Sequence, residues 1–139
     1  MKLVIDASVA FKWVLPERPY EADVESAMEV LAAVAAGSIE ALQPPHWFGE
    51  VLATVARLDR SRIERTVQLL TAMPKRIVEN ESIYLRAGHI AADLNHHLFD
   101  TLYHATALES GAMFLTADEK YYAKAVHLGA LQRLAEFQP

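Results

Sequence analysis

Short apolar runs typical of β-strands alternate with helical patterns along the whole chain. Strands separated by helices pair in parallel through right-handed crossovers, and the helices cover both faces of the sheet. The alternation therefore predicts an α/β fold, a three-layer helix–sheet–helix sandwich around a central parallel sheet. The strand candidates are Leu3 to Ile5, Ile39 to Leu42, Arg76 to Glu79, Ala112 to Leu115 and a short run near Leu131.

Apolar residues at helical spacing fill the segments between these runs. The helix candidates are residues 7–15, Glu21 to Ala36, a helix with the apolar stripe Trp47, Phe48, Val51, Leu52 and Val55, a helix after Ser61, residues 82–95, Asp100 to Ser110, and Glu119 to His127. Ser61 and Glu64 have the spacing of a capping box, so we expect Ser61 to be the N-cap of its helix.

The length of 139 residues predicts a single domain over residues 1–139. Hydrophobic residues make up 53% of the chain and charged residues 22%, which allows a substantial buried core. Thirteen Lys and Arg against eighteen Asp and Glu give a net charge of −5, which argues against binding nucleic acid by bulk positive charge. Because cysteine is absent, the sequence excludes disulfides, thiolate metal sites and a cysteine nucleophile.

No apolar stretch reaches the ~18 uncharged residues that a membrane helix requires. The amino end is apolar like a signal peptide, but Asp6 and Lys12 interrupt it and no small-residue cleavage site follows. We therefore expect a cytoplasmic protein that does not associate with a membrane.

Four acidic residues stand at places where a parallel fold builds ligand sites. Asp6 follows the first strand, Asp118 follows the fourth, Asp100 begins the most apolar helix, and Glu50 borders an apolar helix stripe. Converging carboxylates repel one another, and Mg²⁺ or Mn²⁺ would relieve that repulsion. The sequence also fits a plainer interpretation, in which the three aspartates are helix N-caps and Glu50 is a solvated helix residue.

Four segments that contain these acids resemble a known family. In chain order they are LVIDASV, PPHWFGEVLATVARL, FDTLYHATALESGA and FLTADEKY. Together they resemble the PIN-domain family, most of all the small VapC-type toxins of toxin–antitoxin pairs. The resemblance extends from Leu3 to about Ala125, and it implies that the catalytic residues and metal ligands are the four matching acids, Asp6, Glu50, Asp100 and Asp118.

The resemblance also implies an activity and partners. The activity would be that of a Mg²⁺- or Mn²⁺-dependent endoribonuclease, in which metal-activated water hydrolyses phosphodiester bonds of structured RNA. Ser8 and Thr116 would support the site through hydrogen bonds, although small polar residues beside helix starts also serve in caps and turns. The implied partners are a second copy of the chain, in a homodimer, and a small antitoxin encoded by a neighbouring gene. Thr54 departs from the family pattern, since many relatives carry Asn there.

Other functions fit the sequence less well. A phosphatase of the haloacid dehalogenase type needs D-x-D after the first strand, but the second position here is Ser8. A receiver-like signalling domain needs an acidic pair there, and Asp6 stands alone. A catalytically weak PIN fold that serves as a protein- or RNA-binding module remains the alternative, because of Thr54.

Two further groups of residues are expected to be structural. The arginines of RLDRSRIER are predicted to form a solvated helix junction, in preference to a phosphate-contacting edge. The six histidines are predicted to be packed or surface residues and not metal ligands. Among the histidines, His104 is the one expected to share a helix face with an acid, four residues after Asp100.

Overall fold

The computed structural model of the protein describes residues 1–18 and 22–139. Its described strands form one parallel sheet in the order β3-β2-β1-β4-β5. The strands are β1 (Lys2–Ile5), β2 (Glu40–Gln43), β3 (Arg76–Ile77), β4 (Met113–Thr116) and β5 (Leu131–Arg133). The predicted parallel α/β sandwich is confirmed.

Seven α-helices connect or flank these strands in the described residues, with α6 packed on the sheet and α5 packed on α6. They are α1 (Ala7–Val14), α2 (Val24–Ala35), α3 (His46–Leu58), α4 (Ile63–Ala72), α5 (Glu81–Leu94), α6 (Leu98–Ser110) and α7 (Glu119–Ala125). No described helix is both long and apolar enough to cross a membrane.

Several element boundaries differ from the predicted ones. Strand β3 is only two residues long, and α6 begins at Leu98, two residues before Asp100. Helix α7 ends at Ala125 and gives way to a short 3-10 turn at Val126–Leu128. The predicted start of the second helix, Glu21, lies outside the described residues.

The central strand β1 positions Asp6, the first residue of the candidate site, at its carboxyl end. Its three apolar residues are fully buried, as expected for a strand covered by helices on both faces of a parallel sheet. Ile5 pairs with Leu115 of β4, and the Asp6 amide donates to the Leu115 carbonyl at 2.9 Å. The chain crosses to opposite sides of β1 when it forms β2 and β4, so the strand order reverses beside Asp6, where such sheets bind ligands.

The expected Ser61 cap is wrong. Ser61 lies inside a short 3-10 turn, Arg60–Arg62, and α4 begins only at Ile63. The Asp59 carboxylate accepts from the Ser61 amide at 3.0 Å and from its hydroxyl at 2.5 Å. Because the stronger acceptor is two residues upstream, the serine hydroxyl acts as a donor and does not cap the helix.

Replacing the true cap of α5 should cost more stability than replacing Ser61. Asn80 Oδ1 accepts from the Ile83 amide at 2.9 Å. We expect Asn80→Ala to lower the free energy of unfolding by about 1 kcal/mol. Ser61→Ala should change it by less than about 0.5 kcal/mol, as for other exposed substitutions. Urea denaturation of both variants checks this, and equal losses would contradict the assignment of the caps.

Candidate functional site

Asp6 lies at the carboxyl end of β1 and is almost completely buried, with 7% of its surface exposed. Two hydroxyls donate to its Oδ2 atom, Thr116 Oγ1 at 2.6 Å and Ser8 Oγ at 2.8 Å. The Ala117 amide in turn donates to Ser8 Oγ at 3.0 Å. The two residues predicted to support the site therefore hold the same carboxylate oxygen, although their part in a reaction stays a prediction.

The pKa of Asp6 is raised to about 7. Burial is the largest cause, because it penalises the charged form, and the hydrogen bonds from Thr116 and Ser8 only partly offset it. The charges of Glu50 and Asp100 raise the pKa further. The charges of residues 50 and 100, which are far away in sequence, thus act on the Asp6 carboxylate.

Glu50 is half-buried on α3 and is not the fully solvated residue of the plainer interpretation. The Tyr103 hydroxyl donates to its Oε2 atom at 2.7 Å. Burial and the negative charges of Asp6 and Glu50 raise the pKa of Tyr103 well above its ordinary value, so the phenol remains a donor. Burial, and to a lesser extent Asp100, also raises the pKa of Glu50.

Asp100 lies in the first turn of α6. A histidine in the segment just before this helix contacts its carboxylate. His96 Nε2 is 2.7 Å from Asp100 Oδ2, and Lys124 Nζ is 3.3 Å from His96 Nδ1. Because a lysine ammonium can only donate, Nδ1 accepts and Nε2 donates to Asp100. His96 lies before the start of α6, so helical spacing did not indicate this contact, and the histidine expected beside Asp100 was His104.

Asp118 differs from the other three acids. Its Oδ1 atom accepts from the Tyr121 amide at 3.0 Å, so this aspartate is the N-cap of α7, as the plainer interpretation expects. Its own amide donates to Thr116 Oγ1, the hydroxyl that holds Asp6. Asp118 is therefore joined to Asp6 through Thr116, and its role as a metal ligand stays a prediction.

Gln43, at the end of β2, is a positioning residue that was not predicted from the sequence. Its Oε1 atom accepts from the Ile5 amide at 2.7 Å, and its Nε2 donates to the Ile5 carbonyl at 2.8 Å. The side chain is completely buried. It thus fixes the backbone of the residue directly before Asp6.

The donor set suits a hard divalent cation that keeps part of its water shell. Asp6, Glu50 and Asp100 offer only carboxylate oxygens, and their mutual repulsion is relieved by a cation. Within residues 1–18 and 22–139, no three or more His, Asp or Glu side chains are arranged as a group that could hold a metal ion. A Mg²⁺ or Mn²⁺ site therefore stays a prediction, in which the ion would bind through one or two carboxylates and several waters.

An open cavity of about 600 Å³ adjoins Glu50 and Asp100. Its lining residues are His46, Gly49, Glu50, His97, Phe99 and Asp100. His46 Nε2 donates to the Phe99 carbonyl at 2.9 Å and lies 3.7 Å from Glu50 Oε2. Burial is the main cause that lowers the pKa of His46, which keeps its ring neutral at neutral pH.

Arg62 and His104 have structural contacts away from the four acids. Arg62 donates to the Val14 carbonyl at 2.8 Å and pairs with Glu17, so it ties the end of α1 to the helix junction. The other three arginines of the junction are exposed. His104 is buried between the Tyr121 hydroxyl and the Gly129 carbonyl, as a packed histidine.

A sequence model of the PIN domain matches residues 3–126, which is most of the chain. The protein therefore belongs to the PIN-domain family. No curated protein sequence matches it.

Three solved structures share the fold at low sequence identity. A chain of the toxin–antitoxin complex from Klebsiella pneumoniae is 15% identical with a TM-score of 0.70, covering 99% of this chain and 100% of that one. VapBC2 from Rickettsia felis, bound to a DNA fragment from its promoter, is 11% identical with a TM-score of 0.69, covering 96% and 98%. VapBC-1 from nontypeable Haemophilus influenzae is 17% identical with a TM-score of 0.66, covering 98% and 100%.

Proposed function

We propose that this protein is a VapC-type toxin of a toxin–antitoxin pair and a Mg²⁺- or Mn²⁺-dependent endoribonuclease. The observation that carries the proposal is the burial of Asp6 within reach of the charges of Glu50 and Asp100, which raises its pKa to about 7. A buried carboxylate with so high a pKa is costly to ionise unless a cation is bound. Membership of the PIN-domain family supports the same assignment.

Asp6, Glu50 and Asp100 each have a hydrogen-bonded neighbour that would hold the carboxylate in place for a bound cation. Asp6, Glu50 and Asp100 would hold the ion, with Asp118 as the predicted fourth ligand. Such an ion lowers the pKa of a bound water and offsets the charge of a phosphodiester. The hydroxyls on Asp6, the Tyr103 phenol on Glu50 and the His96 imidazole on Asp100 would restrict these side chains to one arrangement.

We propose a small antitoxin from a neighbouring gene as the protein partner, a homodimer as the assembly and the cytoplasm as the location. The similar solved structures are toxin–antitoxin complexes, which supports the first of these. A basic side chain of an inhibitor would complement the acidic edge formed by Glu50 and Asp100. The proposed substrate is structured RNA.

Calorimetric titration with Mn²⁺ tests the site without knowledge of the RNA. We expect saturable binding by the metal-free protein and at least tenfold weaker binding by Asp100→Asn, because one anionic ligand is lost. Asp93→Asn is the matched control, since Asp93 is an exposed aspartate on α5. In cleavage of total RNA, the wild type and Asp93→Asn should be active, and Asp100→Asn should be much less active. Absence of binding by the folded wild type would overturn the nuclease proposal in favour of a binding module.

A further inference from the structure

The cavity beside Glu50 and Asp100 has an exposed aromatic ring at its edge. Phe99 has 61% of its surface exposed, although it directly precedes the predicted metal ligand Asp100. The His46 ring lies 5.4 Å from the Phe99 ring and 4.6 Å from the Tyr103 ring, measured between centroids. A series of rings therefore leads from the surface to Tyr103, whose hydroxyl donates to Glu50.

Gly49 on α3 lines this cavity and is exposed. A Cβ atom built on Gly49 would have no neighbouring atom within 4 Å. A larger side chain at this position would therefore occupy open space beside the cavity without disturbing the core.

The neighbouring cavity has a different character. It measures about 310 Å³ and shares the rings of His46 and Phe99 with the first cavity, to which it adds Tyr84. Its other lining residues are mostly prolines and aliphatic side chains, and none of the four predicted metal ligands lines it. The cavity beside the acids combines the rings of His46, His97 and Phe99 with two carboxylates. This combination suits a flat heteroaromatic group that is attached to a phosphate.

We propose that Phe99 and His46 form a stacking subsite for one unpaired RNA base next to the scissile phosphate. The proposal rests on the proposed nuclease function and names a feature of its substrate. Proteins bind unpaired bases through aromatic side chains, whereas a base inside a duplex presents no free face. Because the protein carries a net charge of −5, an uncharged contact of this kind would help to hold RNA.

A base that stacks on Phe99 has to be unpaired, so within structured RNA the contact would be made at a single-stranded position. A base on Phe99 would place its phosphate toward Asp100, the next residue in the chain. The His46 ring is fixed for this purpose by its hydrogen bond to the Phe99 carbonyl. Stacking would therefore set which nucleotide lies beside the carboxylates.

A tryptophan placed in the subsite would report stacking directly. The fluorescence of Phe99→Trp should be quenched by a short single-stranded RNA in the presence of Mg²⁺, and much less by the same RNA annealed to its complement. Leu85→Trp is the matched control, because Leu85 is 63% exposed and lies on α5, in a different cavity from Glu50 and Asp100. The native Trp13 and Trp47 are buried at 7% and 0% exposure and should contribute a constant background.

Two further variants extend the test. Phe99→Ala should weaken binding of the single strand roughly tenfold, as for loss of one base stack. Adding Gly49→Leu to Phe99→Trp should abolish the quenching of the introduced tryptophan while the thermal melting temperature stays unchanged. Melting curves for every variant exclude loss of folding as the cause.

Gel analysis of the RNA recovered from each titration separates this proposal from the nuclease proposal. Cleavage by Phe99→Trp without selective quenching of its fluorescence would overturn the stacking subsite and leave the nuclease standing. Selective quenching of Phe99→Trp by an RNA that neither this variant nor the wild type cleaves would support base stacking at Phe99 and overturn the nuclease. A response of the introduced tryptophan to an arginine-rich peptide but not to RNA would assign this face to a protein partner and overturn the subsite.

Discussion

Replacing Asp6 with asparagine is expected to stabilise the metal-free protein at about pH 8 by roughly 2–4 kcal/mol. The native pKa of this carboxyl is about 7, against an ordinary value of 3.8. Because the pKa is raised on folding, the native state binds more protons than the unfolded state between these values. The stability that protonated Asp6 contributes is therefore fully present below about pH 4 and is lost as the pH rises through about 7.

Asparagine avoids this loss because it is neutral at every pH and has nearly the same shape. Its side-chain oxygen can still accept from the hydroxyls of Ser8 and Thr116. Urea unfolding with EDTA at about pH 5 and pH 8 measures the effect, which should be much smaller at the lower pH. With saturating Mn²⁺ the wild type should become more stable than Asp6→Asn, because the ion stabilises only the protein that binds it.

The exposed substitution Asp93→Asn is the control for the change of charge, and because this variant retains Asp6, its stability should follow that of the wild type at both pH values. A wild type as stable as Asp6→Asn at pH 8 would show that ionised Asp6 is not penalised. That result would remove the observation on which the proposed cation site mainly depends.

Gln43→Leu is expected to lower the free energy of unfolding by roughly 2–5 kcal/mol, because two buried backbone groups each lose a hydrogen bond worth about 1–3 kcal/mol when left unpaired. The affected groups are the amide and carbonyl of Ile5, which Gln43 contacts at 2.7 and 2.8 Å. Leucine has a similar size but can neither donate nor accept. Because Ile5 precedes Asp6, affinity for Mn²⁺ should also fall.

Urea denaturation at constant pH measures the loss of stability, and Mn²⁺ titration of the folded variant measures the effect on the site. Gln68→Leu is the matched control, since Gln68 is exposed on α4, and it should change stability by less than about 0.5 kcal/mol. If both variants unfold at the same urea concentration, the Gln43 contacts do not hold β1 in place.

Local patterns predicted most of the secondary structure. The alternation of apolar runs and helical stripes correctly indicated a parallel sheet covered by helices, because side-chain periodicity reflects which face is buried. The Ser61 prediction failed because the Ser61 hydroxyl donates to the Asp59 carboxylate and does not accept from the helix. Spacing alone does not reveal that the Asp59 carboxylate lies within 3.0 Å of the Ser61 amide.

The candidate site could be predicted only in part. His46 and Glu50 are four residues apart on α3, so their contact was within reach of sequence analysis. His96 precedes α6, so helical spacing does not predict its contact with Asp100. The contact of Gln43 was not within reach either, because its partner Ile5 is 38 residues away and a strand pattern does not show where a terminal side chain turns.

By itself, the sequence determined the order of strands and helices and the residue types available for chemistry, because both follow from local periodicity and composition. Only the tertiary structure decided which acids act on one another. It buried Asp6 near Glu50 and Asp100 and placed Asp118 as a helix cap, although each aspartate had fitted either role. The physical reason is that a pKa depends on desolvation and on charges only ångströms away, which for Asp6 come from residues 44 and 94 positions along the chain.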